Sequence, residues 1–284
     1  MSVFEKYKLK RPLEFTRLVG VNYGTFQIIL KKLENEITRF KEQKPMRRRG
    51  LKSSLTIADQ LLLTLIYLRQ YHTFLQLGEM FSISESYAQK RFTFIAKRLM
   101  KALDLPNDKD LTADHLKLVA DVTEQEIERP LSRQKSYYSG IKKRHTVKTL
   151  LIVCFLTGLI LAARSARGTT HDFQILKKSN LNINPNAKIK TDKGFIGIKL
   201  LYPLAEVPHK SSKYHPLTKE QKQYNRQLAS ERTVIEHRNR ECKIFLICSM
   251  RYRGKHKNYA KTWKLVAAIV NLKLSTRHLK YASP

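Results

Sequence analysis

The feature that most constrains the fold is a change of hydrophobic period part-way along the chain. From Phe26 to about Leu103 apolar side chains recur at helical spacing. Beyond about residue 105, short apolar runs bounded by turn residues take over, with helical stretches between and after them. Such a chain folds as an all-α region followed by an α/β region.

Within the first region Phe26, Ile29, Leu30, Leu33, Ile37 and Phe40 recur with Lys, Glu and Arg between them, which predicts one amphipathic helix ending near Pro45 and the basic run Arg47-Arg48-Arg49-Gly50. Thr56 is a candidate N-cap for a Leu-rich helix over Ile57 to Tyr71. A short helix over Thr73 to Phe81, a turn at Ser82-Ile83-Ser84 and a longer helix over Glu85 to Leu103 complete a helix-turn-helix pattern. The last helix offers Ser86, Tyr87, Gln89, Lys90 and Arg91 near its start, side chains able to reach base edges and phosphates from the major groove. A plain helical bundle with a solvated basic face gives the same pattern, and this segment alone does not choose between the two.

After the linker Asp104-Leu105-Pro106-Asn107-Asp108, strands are expected over Leu116 to Thr123, His145 to Phe155 and Leu159 to Arg164, with a further short strand over Lys188 to Thr191 and another over Leu200 to Ala205. Helices are expected over His171 to Ser179, Thr218 to Ile247 and Tyr259 to Leu274. The apolar stretch Thr149 to Ala163 is shorter than the roughly 20 residues that span a bilayer and is broken at Thr157-Gly158, so it reads as two buried strands and a turn. The expected domains are an N-terminal helical segment (1–50), a helix-turn-helix domain (51–105) and an α/β domain (112–284).

Charge narrows the partner. Fifty-five Lys plus Arg stand against 23 Asp plus Glu, a formal net charge of +32, and a polyanion is the simplest reason to carry that self-repulsion. Nucleic acid, an anionic membrane and ribosomal RNA all satisfy that argument. The N-terminus has no apolar signal region. The three cysteines, Cys154, Cys242 and Cys248, match no zinc spacing and read as reduced thiols of a cytosolic protein.

In so basic a chain the acidic side chains stand out. Asp121 lies near the end of a strand and Asp192 directly follows another; carboxylates that converge are what a hard cation such as Mg²⁺ requires. Taken singly, each aspartate reads more readily as a turn or strand-end residue. Arg232, Glu236 and Lys243, spaced four and seven residues apart, share one helical face, where the carboxylate could hold a metal and the cations DNA phosphates; Glu231 and Glu241 point elsewhere. An ordinary solvated helix face has the same spacing. His171 or Asp172 is expected to cap the helix that follows.

Six segments in order carry a family resemblance: residues 56–103, DVTEQEIERP (121–130), YYSGIKKRHTVK (137–148), GTTHD (168–172), TDKGFIG (191–197) and RTVIEHRNRECK (232–243). Together, from about residue 10 to 275, they resemble the transposases of the IS5-like insertion-sequence family within the DDE class. The pattern departs from that family at Ala229, where relatives often carry Tyr. The resemblance implies an RNase H-like mixed-sheet core behind the helix-turn-helix, with Asp121, Asp192 and Glu236 as catalytic carboxylates holding two Mg²⁺ ions (Mn²⁺ substituting) and Arg232 and Lys243 on DNA phosphates. It implies binding of terminal inverted repeat DNA, hydrolysis at the element's ends, and transesterification into target DNA. A homodimer on DNA in the bacterial cytoplasm, with no membrane partner, is expected. A DNA-binding protein that has lost catalysis and a stand-alone RNase H-like nuclease are the alternatives.

Overall fold

A computed structural model describes residues 2–43, 53–103 and 117–281, the last five of these by backbone alone. The basic run Arg47–Arg49, the linker at 104–108, the expected strand start at Leu116 and the expected domain boundaries near 50, 105 and 112 lie outside the described residues. The chain forms two compact units, one of Met1–Leu105, Lys243–Ser249 and Ala268–Pro284, the other of Pro106–Cys242 and Met250–Ala267.

The first unit is helical. Helix α1 is Val3–Lys8, α2 Pro12–Val19, α3 Tyr23–Gln43, α4 Ile57–Gln70, α5 Phe74–Phe81 and α6 Glu85–Ala102. Helix α4 is buried from Asp59 to Leu68 without a solvated face, which makes it the centre of this unit. Its start is a capping box: Thr56 Oγ1 accepts from the Asp59 amide at 3.0 Å, and Asp59 Oδ2 accepts from the Thr56 amide at 3.2 Å. Asp59 Oδ1 also accepts from the Phe4 amide at 2.8 Å, tying α1 to α4. Helices α1 and α2 were not expected from the sequence; each is too short to show a period and is held on Phe26, against which Phe4 stacks and Phe15 packs edge-on.

The α5–α6 turn has the tightness expected of a helix-turn-helix. Ser82 takes φ 53°, the Ile83 amide donates to the Gly78 carbonyl at 2.9 Å, and a Cβ on Gly78 would lie 2.7 Å from the Ile83 carbonyl oxygen. Ser84 then caps α6 by accepting from the Tyr87 amide at 3.3 Å.

The second unit is the α/β region. Its strands are β1 Lys117–Glu126, β2 Tyr138–Ser139, β3 Arg144–Cys154, β4 Ile160–Arg167 and β5 Lys188–Lys190. Its helices are α7 Asp172–Lys177, α8 Lys219–Lys243 and α9 His256–Tyr281, the last two ending in the first unit. Strands β2, β3, β1 and β5 lie in that order, and β4 pairs with β3. The pair β1–β5 is parallel and the others are antiparallel, so the sheet is mixed. The stretch Thr149 to Ala163 is the β3–β4 hairpin, as expected. No helix among the described residues is long and apolar enough to cross a membrane. All three cysteines are buried, and none forms a disulfide among the described residues.

Alternation along β1 sorts its side chains between two covered faces. Leu118 and Ala120 join Leu150, Ile152 and Ala162 against Ile175, Leu176, Phe195 and Ile198 in one apolar core. Val119, Asp121, Thr123 and Gln125 face the other way, where α8 and α9 supply partners. The strand expected over Leu200 to Ala205 does not form. A 3₁₀ turn occupies Ile198–Leu200, and Glu206 alone bridges to Lys190. Pro203 has no amide to give a ladder at that position.

Candidate active site

Register sets the first two carboxylates abreast. Val119 of β1 pairs with Lys190 of the parallel strand β5, and Asp121 and Asp192 each lie two residues beyond that pair. Asp192 turns the chain out of the sheet by capping a 3₁₀ turn, accepting from the Gly194 amide at 2.9 Å. The two carboxylates are close enough to repel. Burial holds the Asp121 carboxyl above the ordinary aspartate value; Arg232 opposes this, Asp192 adds to it, and hydrogen bonds from the Val122 amide and Asn239 oppose it.

Helix α8 covers that position. Arg232 Nη2 stands 3.3 Å from Asp121 Oδ1, and Asn239 Nδ2 donates to Asp121 Oδ2 at 3.2 Å. The two residues are seven apart, so they meet one carboxylate from a single helical face. Glu236 lies between them on that stripe and is exposed. Among the described residues no three Asp, Glu, His or Cys side chains gather closely enough to hold a metal ion. The structure thus brings Asp121, Asp192 and Arg232 together and leaves Glu236 open to solvent. Lys243 is the last residue of α8, seven positions beyond Glu236, and Ala229 is exposed near the helix's middle.

Glu231 has a structural duty. The nearly buried Lys190 ammonium pairs with Glu231 of α8 and, at 3.3 Å, with Glu206, and so clamps α8 to β5. Glu231→Ala leaves Lys190 with Glu206 and the Phe155 ring and is expected to cost about 1–2 kcal/mol, less than a fully buried pair because Glu206 remains. Urea unfolding checks this; an unchanged midpoint would remove the clamp from the account. Glu241, the other off-face carboxylate, pairs with Arg238 at 2.7 Å.

The GTTHD segment also differs from expectation. His171 occupies the N-cap position of α7 but makes no side-chain capping bond. Asp172 instead takes the Lys148 ammonium at 2.9 Å, and Lys148 also donates to the Thr170 carbonyl at 3.0 Å. A Cβ on Gly194 would lie 2.6 Å from Asp172 Oδ2 and 3.0 Å from Asp192 Oδ1, so Gly194 is what lets the two carboxylates approach. Sequence reasoning missed Asn239 and Lys148 as partners of the acidic residues. Asn239 was visible in principle, seven residues after Arg232; Lys148 depended on a fold-back that spacing does not show.

Comparison with known proteins decides the family. Residues 120–271 match the family described as DDE superfamily endonuclease, and residues 53–104 match the helix-turn-helix of the same superfamily. A protein of Microchaete diplosiphon named "Probable transposase for insertion sequence element IS702" is 34% identical over 279 residues, covering 96% of this chain and 99% of its own length. The chain belongs to the DDE superfamily endonucleases.

Proteins of this DDE superfamily generally depend on divalent metal. The donors around Asp121 fit a hard cation. Two carboxylates lie abreast, and the amide oxygen of Asn239, beside Asp121, is buried with no hydrogen-bond partner in the structure. An unpaired buried acceptor next to repelling carboxylates is relieved by positive charge or by a water bound to it.

On the helix-turn-helix of this DDE protein, Ser86, Gln89 and Lys90 are exposed at the start of α6. Tyr87 and Arg91 are half-buried: the Tyr87 hydroxyl lies 2.8 Å from Ser53 Oγ, and the Arg91 guanidinium sits over the rings of Tyr87 at 5.1 Å and Phe94 at 5.4 Å.

Proposed function

We propose that this DDE protein is an IS5-like insertion-sequence transposase that binds terminal inverted repeats, cleaves the element's ends and joins them to target DNA. The observation that carries the reading is the placement of Asp121 and Asp192 abreast on β1 and β5, with Arg232 and Asn239 of α8 on the first and Glu236 exposed between them. The strand order β4-β3-β1-β5, with only β5 parallel to its neighbour, supports an RNase H-like core. Asp121, Asp192 and Glu236 would hold Mg²⁺, for which Mn²⁺ substitutes. The metal supplies charge neutralisation for in-line phosphoryl displacement. Arg232 orients the Asp121 carboxylate and presents a cation to the DNA phosphate; Lys243, further along the same stripe, grips the backbone. No Ser, Tyr or Cys serves as a nucleophile. The protein acts as a homodimer on DNA, within the cytoplasm beside the nucleoid. The deciding experiment combines the purified chain, Mg²⁺ and labelled DNA carrying the ends of its own genomic element. Nicked ends followed by joined products support transposition. Cutting without joining would make the chain a nuclease, and binding alone a DNA-binding protein.

Sequence-specific affinity resides in Ser86, Gln89 and Lys90, with Tyr87 and Arg91 holding the shape of the helix they stand on. Lys90→Ala is expected to weaken repeat binding and to reduce the slope of log affinity against log salt by about 0.9, the share of one phosphate contact, with no change in melting temperature. Arg91→Ala is expected to lower the melting temperature as well, because it empties the space between Tyr87 and Phe94. Anisotropy across a salt series checks both, and an unchanged slope for Lys90→Ala would remove that residue from the DNA contact.

A further inference from the structure

Beyond the carboxylate site, the second unit carries a groove of about 710 Å³ where β1 runs out, between the chain following Glu126 and the segment before α9. Six cations line it, Arg129, Arg133, Arg167, Arg253, Lys255 and Lys257, against one carboxylate, Glu128. Its walls also carry an aromatic pair, Tyr137 and His256, with ring centroids 5.3 Å apart, and the Arg167 guanidinium sits 5.6 Å from the Tyr137 ring centre. Leu131 at the groove is fully exposed, with a relative accessibility of 103%.

The groove is built in advance. The Tyr252 amide donates to the Glu126 carbonyl at 2.8 Å and the Glu128 amide to the Tyr252 carbonyl at 3.4 Å, which pins its two walls together. Thr169 Oγ1 donates to the Ser136 carbonyl at 2.8 Å, and Gly168 packs so closely that a Cβ there would lie 2.9 Å from the Tyr137 carbonyl oxygen. The turn bearing Tyr137 is therefore fixed against β4.

We infer that this groove binds one or two unpaired nucleotides of a DNA strand, a base stacking on Tyr137 and His256 and its phosphates lying among the six cations. Charge alone would suit any DNA. The rings are what select a single strand, because a duplex keeps its base faces stacked inward and offers them no partner. Leu131 is placed as the wedge: an exposed apolar side chain flanked by arginines inserts between base steps and props them apart. The groove lies about 20 Å from Asp121, counting strand rise from that residue to Glu128. DNA held at the carboxylates therefore has length to reach it. The inference rests on the reading of this chain as a DNA-cutting enzyme.

The test uses the full chain in chelator, so that no cutting occurs, and a short single-stranded oligonucleotide carrying 2-aminopurine. Stacking quenches that base, so binding is expected to lower its fluorescence. Tyr137→Ala is expected to weaken binding about tenfold and to restore fluorescence, whereas Tyr137→Phe keeps both. Arg253→Ala and Lys255→Ala are each expected to reduce the single-strand salt slope by about 0.7. Leu131→Ala, a substitution at a fully exposed position, is expected to unstack 2-aminopurine beside a nick less than the parent does. Retained binding of repeat duplex shows that each variant is folded. If quenching survives Tyr137→Ala, or if duplex of the same sequence displaces the single strand at equal concentration, the groove does not do this. Quenched single-strand binding without end cleavage in Mg²⁺ upholds the groove and counts against the transposase reading; cleavage without quenching does the reverse.

Discussion

Asp121→Ala, Asp192→Ala and Glu236→Ala are each expected to reduce end cleavage and strand transfer by on the order of a thousandfold or more, the scale of losing one preorganised catalytic group, while repeat binding persists. Their effects on stability without metal should differ, because their surroundings differ. Asp121→Ala strips acceptors from the Arg232 guanidinium and the Asn239 amide, both largely buried, and is expected to destabilise by about 1–3 kcal/mol. Asp192→Asn keeps a capping side chain for the Gly194 amide and removes a charge that repels Asp121, so it should be neutral or mildly stabilising. Glu236→Gln, on an exposed position, should change little. Mg²⁺ should raise the parent's melting temperature more than that of any variant. The Asp121 carboxyl adds a pH signature. Its pKa is raised in the folded chain, so between the ordinary aspartate value and the raised one the folded state binds more protons than the unfolded state. Stability therefore falls as pH rises through that window, the penalty is complete above it, and Asp121→Asn should remove that part of the slope. Urea midpoints across pH in chelator, beside nicking of a labelled end, check all of this. Cleavage by Glu236→Ala at the parental rate would displace the third ligand from α8.

How far the sequence anticipated this arrangement can be followed along β1. The apolar run before Asp121 announces a strand, and the pattern predicts it only as far as Thr123, before the polar residues Glu124, Gln125 and Glu126. The strand instead continues to Glu126. Those polar side chains stay in the sheet because partners distant in sequence satisfy them: Glu124 accepts from Thr146 Oγ1, Glu126 pairs with Arg144, and Gln125 is bonded from α9. Local periodicity carries no trace of such partners. The same limit explains Glu231, expected off the Glu236 face by helical spacing, whose pairing with Lys190 needs the register of α8 over β5. What local pattern does carry is capping and turn chemistry. Thr56 and the Ser82-Ile83-Ser84 turn stand where the sequence placed them, because their hydrogen bonds are made within a few residues. The carboxylate pair falls between the two cases. Expected strand ends marked Asp121 and Asp192 as candidates; Asp121 instead lies in the middle of β1, and only the parallel β1–β5 register makes the two neighbours.

Gln125→Leu is expected to be among the most destabilising substitutions of the α/β unit. Gln125 is 3% exposed and lies four residues after Asp121, on the same face of β1. Its Oε1 accepts from the Tyr259 hydroxyl at 2.9 Å and from the Trp263 indole N–H at 3.3 Å, and its Nε2 donates to the Met250 carbonyl at 2.7 Å. The hydroxyl keeps Thr149, whose Oγ1 is 3.3 Å away, but the indole and the carbonyl lose this partner where water does not reach. At about 1–3 kcal/mol for each orphaned group, the loss is about 2–6 kcal/mol. That corresponds to a fall in melting temperature of about 10 °C. Tyr259→Phe made in the Gln125→Leu background should cost less than in the parent, since the bond it deletes is already gone. A melting temperature within about 2 °C of the parent would mean that the network adds no stability. Gln125→Glu separates lost hydrogen bonding from lost packing, because the shape is kept. The carboxylate can still accept from Tyr259 and Trp263 but faces the Met250 carbonyl with no proton to donate. Burial favours its neutral form, so the variant should be least stable above the raised carboxyl pKa and recover as acid returns the proton that can bond Met250. A Gln125→Glu chain equally stable across that range would place water, rather than Gln125, between β1 and the Met250 carbonyl.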